Sequence, residues 1–354
     1  MKILTMFSCC HFIKGANRSL LLDTQRDSYY LVPNSMPDFI SSVSNLDLDH
    51  TLSEYDQGDY EIALQYVEFL IKNDLAFFCD SAEEAAAFLP ISMAWQYPSE
   101  VTNAVIEVDN LVFIPAITHC IGTFFIPTLH VIFLCPVVNI DHLWNLIKPF
   151  NGLSNKSIQI SFENKDQITV EHLTDFCYHH PKIELIIAFN SQIETSAKMF
   201  GCSLVFTKQK DFSKAACGSI QQEYFNTGLR HFTESIQHNT CLNRKISIDS
   251  EGNIKNCPSM VESYGKIWDT TILQAIEKPG FKNMWNISKD EIMVCKDCEF
   301  RHICTDCRAY LETPENPHSK PLKCGYNPYN NTWTDWSINP LKQQPIIYYG
   351  LNEL

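Results

Sequence analysis

The run Cys295-Lys296-Asp297-Cys298-Glu299-Phe300-Arg301-His302-Ile303-Cys304-Thr305-Asp306-Cys307 sets four cysteines into thirteen positions. Core packing gives no reason for such density. Metal binding does: two thiolates separated by two residues grip one ion or cluster from a tight turn, and a second such turn completes a four-sulfur cage. Working outward, Cys324 lies downstream, and upstream Cys241 and Cys257 bracket Gly252, giving C-x10-G-x4-C, a gap, C-x2-C-x5-C-x2-C, a gap, and C. Ile246-Ser247-Ile248 and Ile254 flank Asp249-Ser250-Glu251-Gly252-Asn253, which predicts a hairpin holding the first pair, with Gly252 at a positive-φ turn position. Thr271 to Ile276 and Gly280 to Trp285 read as helices that lay apolar surface over the sites and limit solvent access. Zinc ribbons also use paired C-x2-C elements, so zinc stands beside iron-sulfur; the Gly-x4-Cys arm, the x5 spacing and the distal Cys324 favour iron-sulfur. His302 lies inside the array and offers a candidate ligand, though it reads first as a capping or surface residue. Seven cysteines fall one short of two four-sulfur cages.

The chain has 354 residues, 45% hydrophobic, with 15 cysteines in all. A chain this long builds a core without disulfides. No stretch reaches the 18 uninterrupted apolar residues of a membrane span, and Cys9, Cys10 and His11 break the apolar start without a cleavage site following. A cytoplasmic location is expected. Cys9, Cys10, Cys79, Cys120, Cys135, Cys177, Cys202 and Cys217 then read as small buried hydrophobes. Net charge is −14, and residues 1–100 carry 5 Lys or Arg against 15 Asp or Glu, whereas 241–324 carry 12 of each sign. So acidic an N-terminal stretch repels phosphate backbones and attracts basic peptide, which argues against a nucleic-acid partner. With 12 glycines and no phosphate-cradling loop, ATP binding by this chain is not indicated. His119-Cys120, and Cys177 beside His179 and His180, are adjacent in sequence only, which does not make a nucleophile and base.

The pattern is α/β throughout. Strand-like runs at Ile3 to Phe7, Ser19 to Asp23 and Ser28 to Val32 precede helical patterns from Met36 to Val43 and from Asp59 to Ile71, and Leu75 to Phe78 closes the unit. The polar tetrapeptide Thr24-Gln25-Arg26-Asp27 predicts a hairpin loop. From Val101 to Phe206, strand runs at Val105 to Val108, Leu129 to Leu134, Ile158 to Ile160 and Ile183 to Ile187 alternate with helix-like segments at Asp141 to Ile147, Val170 to His179 and Ser191 to Phe200. That alternation predicts a parallel sheet with crossover helices. Lys208 to His238 is polar and without clear period, and reads as a link. The expected units are 1–95, 100–230, 238–330 and a tail, 331–354.

The array from Cys241 to Cys324 resembles the SPASM domain, the auxiliary iron-sulfur domain of many peptide-modifying radical SAM enzymes. The resemblance implies one or two [4Fe-4S] clusters, one on Cys295, Cys298, Cys304 and Cys324, and a second on Cys241, Cys257, Cys307 and a further ligand just upstream. No cysteine occurs in Arg230 to Thr240, leaving that position empty or filled by a residue such as His238. Cys304 and Cys307 are spaced x2 where the family more commonly has x3. The C-x3-C-x2-C triplet that holds the SAM-cleaving cluster is absent from the chain. The middle unit is therefore expected to be a degenerate, partial radical-SAM-like (β/α) barrel without ordinary SAM radical chemistry, and whether the chain is itself an enzyme stays open.

The N-terminal unit resembles the PqqD-like winged-helix element that recognises leader peptides. In that fold a leader adds to a sheet edge, here Ser28 to Val32, with the Asp59 to Ile71 helix as a wall and Tyr29, Tyr30 and Tyr66 as candidate anchors. Together these features resemble the SPASM-domain maturases of grasp-with-spasm systems. The implied partners are a precursor leader and an ATP-grasp peptide ligase, with neither nucleic acid nor membrane. A zinc-stabilised scaffold and a stand-alone iron-sulfur redox enzyme are the alternatives.

Overall fold

In the computed structural model, the structure describes residues 2–44, 46–165, 168–210 and 217–352. Residues 211–216 of the linking segment and 353–354 of the tail lie outside the described residues.

The N-terminal part contains β1 (Ile3–Met6), β2 (Cys10–Lys14), β3 (Ser19–Asp23), β4 (Ser28–Val32), α1 (Ser35–Val43), α2 (Leu48–Ser53), α3 (Gln57–Lys72), β5 (Ala76–Cys79) and α4 (Ala82–Ala86). Strands β2, β3 and β4 form an antiparallel sheet in that order, and β1 pairs with β5. The expected hairpin loop holds because the Asp23 carboxylate accepts the Gln25 and Arg26 N–H groups at 3.0 and 3.1 Å. Every residue of β3 is buried, since the sheet is covered on both faces. Leu21 packs with Ala63, Val67 and Leu70 of α3, while Leu20 and Leu22 pack with Phe232, Phe300 and Ile303. Strand β2, not foreseen from Cys-His-Phe-Ile-Lys, completes that second contact through Ile13.

The middle contains β6 (Asn103–Val108), α5 (Ile114–Gly122), β7 (Thr128–Phe133), α6 (Ile140–Ile147), β8 (Ser157–Glu163), α7 (Val170–His179), β9 (Ile183–Phe189), β10 (Thr195–Met199) and β11 (Cys202–Phe206). The expected parallel sheet is present: β6, β7, β8, β9 and β11 pair in parallel. Ser191 to Phe200 is not the expected helix. It carries β10, antiparallel to β11 across a two-residue turn in which Phe200 and Gly201 both have positive φ, 50° and 84°. That is the backbone a tight hairpin demands, and it overrides the segment's weak helical pattern.

Further on come α8 (Leu229–Gln237), β12 (Lys245–Ile248), β13 (Ile254–Lys255), α9 (Ile272–Glu277), β14 (Tyr326–Asn327), β15 (Thr332–Trp333) and α10 (Gln343–Tyr348). The hairpin around Gly252 forms as expected, and β12 adds in parallel beside β6. The result is one eight-stranded sheet, ordered β10-β11-β9-β8-β7-β6-β12-β13, open at both ends rather than closed into a barrel. Thr271 caps α9 through the Gln274 N–H, but Gly280 to Trp285 forms turns rather than a helix. The link after Lys208 is also more structured than its polarity predicts, because α8 buries Phe232 against the N-terminal sheet.

On β6 the residues Ala104, Ile106 and Val108 are buried under the helices, while Asn103, Val105 and Glu107 are only partly covered. The helix-facing side is a dense core that includes Phe133, Phe150, Phe162, Phe176 and Phe206, each contributing roughly 1.5–3 kcal/mol by burial. The opposite side of the same strands is the more polar one.

Candidate functional site

The seven cysteines of the array divide between two places, and an eighth joins them. Cys295, Cys298, Cys304 and Cys324 line one narrow cavity with Phe225, Phe300, Tyr326 and Trp333. Burial pushes the Cys295 thiol up to about 12 and raises Cys298 and Cys304. The turn from Cys295 to Cys298 is held by a Cys298 N–H to Cys295 carbonyl bond of 2.9 Å, and Cys324 is tied by a 3.1 Å bond from its N–H to the Pro321 carbonyl.

Cys241 and Cys257 lie at the two ends of the β12–β13 hairpin and, with Cys217, line a second and larger cavity. Cys217 was expected to be a packing residue. Instead its thiol is lowered to about 6, first by the hydrogen bond from Cys257 and then by Ser259 and the ammonium groups of Lys245 and Lys323, against burial. Cys307 is pushed up to about 12 by burial and by Cys217 and Cys241 beside it. Gly218, at φ 74°, lets the chain pass so close that an added Cβ would stand 2.8 Å from the Cys307 sulfur. His238, the candidate for the eighth position, turns elsewhere: it stacks edge-on to Trp95 at 5.5 Å and bonds Asn286 at 3.0 Å. The signal that could have found Cys217 is Gly218 immediately after it, where a close approach needs a residue without a side chain. His302 bonds Ser235 at 3.1 Å and is no part of either quartet's wall.

Lysines surround both quartets: Lys323 donates to the Cys217 carbonyl at 2.8 Å and Lys342 to the Cys324 carbonyl, and Lys245 and Lys289 turn toward sulfur. Lys245 donates to the Cys241 sulfur at 3.4 Å, and Lys289 donates to the Thr305 carbonyl at 2.7 Å beside Cys304. Burial alone would lower both ammonium groups, but the surrounding thiols, joined at Lys289 by Asp306, hold both above the ordinary lysine value.

The donor sets are all sulfur, the chemistry of iron-sulfur clusters and of structural zinc alike. Zn–S bonds of about 2.3 Å would draw four thiolates to within about 3.8 Å of one another. Among the described residues, the only trio of Cys, His, Asp or Glu whose ligand atoms all lie within 4.8 Å is Cys9, Cys10 and Asp23. The Cys9 trio has its own explanation, since Asp23 is taken by Arg26 at 2.7 Å and by two turn N–H groups.

The larger cavity, about 930 Å³, lies between the open face of the sheet and the Cys217 quartet. Glu107, His130, Ile132, Met284 and Tyr310 line it. His130 bonds Ser161 at 2.8 Å, and burial together with Lys245 lowers it to about 4. Burial and nearby Asp249 raise Glu107. The loop after β6, Asp109-Asn110-Leu111-Val112-Phe113, carries no thiol.

The N-terminal sheet abuts the other quartet. The Ala16 N–H donates to Asp297 at 2.8 Å, and Arg18 pairs with buried Glu299 at 2.7 Å, so the β2–β3 turn seats on the Cys295–Cys298 loop. Of the three candidate anchors, Tyr30 and Tyr66 share the helix-side cluster; Tyr30 meets Phe69 of α3 edge-on at 5.5 Å. Tyr29 faces the other way, onto Phe300 at 6.1 Å. Among the described residues β4 is an edge of its sheet, paired with β3.

No family model matches the chain, and no curated protein matches it. Among solved structures, SuiB of Streptococcus suis bound to S-adenosylmethionine overlaps with a TM-score of 0.31 at 14% identity, covering 90% of this chain and 98% of that one. SuiB bound to its precursor peptide SuiA overlaps with a TM-score of 0.30 at 13% identity and the same coverage. Scores this low are too loose to carry a functional assignment. No helix among the described residues is long and apolar enough to cross a membrane.

Proposed function

We propose that this chain is a maturation factor for a ribosomally synthesised peptide, with two [4Fe-4S] centres in a SPASM-like domain and a winged-helix-like module that holds the precursor's leader. The observation that carries the reading is the gathering of eight thiols into two all-sulfur quartets. Cys295, Cys298, Cys304 and Cys324 would hold one cluster; Cys217, Cys241, Cys257 and Cys307 would hold the other. Such clusters, when bound, supply one-electron chemistry or a rigid charged frame. The cavity beside the second quartet is the natural seat for the peptide's reacting segment, with His130 and Glu107 placed to hold or accept a proton there. The leader would add to β4 with α3 as its wall, favoured by the acidic balance of residues 1–100. An ATP-grasp ligase is the partner the sequence resemblance implies.

The test is anaerobic purification followed by iron, sulfide and zinc analysis, with calorimetric titration of the leader. Zinc in place of iron and sulfide sinks the cluster assignment, and no heat with any cognate leader sinks the recognition role. A second reading, a redox enzyme that acts on its substrate without a ligase, is favoured by the direct abutment of cavity and quartet. Turnover of a bound peptide by the purified protein under reducing conditions would separate the two.

A further inference from the structure

We infer that Lys245 and Lys289, one at each of the two metal–thiolate centres, are built-in counter-charges turned toward sulfur, and that each holds up the reduction potential of the centre it faces. The inference rests on the reading of both quartets as iron-sulfur sites. Lysine is almost never buried unless paired, yet Lys289 is 5% exposed and sits against Cys304 and the Thr305 carbonyl. Lys245, at the first position of β12, points its ammonium at the Cys241 sulfur from the cavity wall. The carboxylates nearby are engaged by other cations, Asp249 by Lys255 at 2.8 Å and Asp306 by Arg308 at 2.6 Å. Each ammonium still lies against sulfur, Lys245 against Cys241 and Lys289 against Cys304, with the Asp306 carboxylate and the Thr305 carbonyl also beside Lys289.

Neutral thiols do not compensate a desolvated ammonium; thiolates on a cluster do. A [4Fe-4S] centre with four thiolates is anionic, and reduction adds a further negative charge. A fixed positive charge close by, in a medium of low dielectric, favours the reduced form over the oxidised one. Removing it must lower the potential of that centre and leave the other nearly unmoved, because the two lysines face different quartets.

The experiment uses the full chain, loaded anaerobically, in the wild-type form and as K245Q, K245R, K289Q and K289R. Iron and sulfide content and an EPR-monitored potentiometric titration are read for each. K245Q is expected to shift downward only the signal that Cys241→Ala abolishes, K289Q only the signal that Cys304→Ala abolishes, and the arginine variants are expected to stay near wild type. Unchanged midpoints in both glutamine variants, or equal shifts in glutamine and arginine forms, overturn the inference. Where a glutamine variant fails to load, loading of the arginine form supports it and failure of both overturns it. A wild-type chain that takes up no iron or sulfide would instead remove the cluster reading itself.

Discussion

Replacing Gly218 with alanine should empty one thiol quartet and spare the other. The new Cβ would stand 2.8 Å from the Cys307 sulfur, 3.2 Å from its Cβ and 3.3 Å from the Tyr310 ring. Carbon contacts want about 3.5 Å or more, so Cys307 must retreat by about 0.7 Å, whereas ligand positions tolerate only about 0.2 Å. The backbone adds its own penalty: at φ 74° a residue with a side chain costs roughly 1–2 kcal/mol more than glycine, enough to lower Tm by roughly 1–3 °C without unfolding the chain. Since each cluster holds four irons, iron should fall from about eight to about four per chain, with sulfide in parallel. The assay is metal and sulfide analysis of anaerobically reconstituted protein, with circular dichroism as the folding control. A variant that keeps its full iron and both EPR signals would refute the placement of Cys307 against Gly218, and with it the eight-thiol count.

Further outcomes test the other parts of the molecule. Cys217→Ala should halve the iron while His238→Ala leaves it whole; the reverse pattern in metal analysis would return the eighth position to His238. Tyr30→Ala should weaken leader binding about tenfold, or about 1.4 kcal/mol by calorimetry, and an unchanged Kd would move the recognition surface away from β4 and α3. His130 is held at about 4 in the folded chain, by burial and then by Lys245, against an ordinary value of about 6.5. Between those values the unfolded chain binds more protons, so this histidine's contribution is intact above pH 6.5 and is lost as pH falls toward 4. Its share is at most about 3 kcal/mol. Urea titrations of His130→Gln should show a flatter loss of stability over that window, and parallel curves would contradict the burial.

The N-terminal hairpin, its helices and the parallel strands of the middle could be read from periodicity and turn residues, because each depends on neighbours within a few positions. Strand β10 could not, since its pairing is decided by Phe200 and Gly201, whose turn outweighs a short helical pattern. The seven array cysteines announced themselves by spacing. Cys217 did not, because its partners are distant in sequence and it is brought to them by the bridge between Ile220 and Cys324 and by the Gly218 contact. The two lysines facing sulfur were equally silent: nothing in local sequence separates Lys245 or Lys289 from any surface lysine. Tyr29 shows the limit of reading anchors from composition, for strand alternation sends it to the face opposite Tyr30.

The parallel seat of β12 beside β6 also imposes a timetable. β6 comes off the ribosome well before Lys245–Ile248, and until that late segment arrives one flank of the sheet presents unpaired N–H and C=O groups. Cys241 precedes that segment and Cys257 follows its hairpin, so a strand seated one residue out of register would turn its side chains to the wrong face and carry both thiols away from Cys217 and Cys307. On the cluster reading, loading of that quartet would act as a proofreading step on β12: only a chain with that strand in register can present its four sulfurs together.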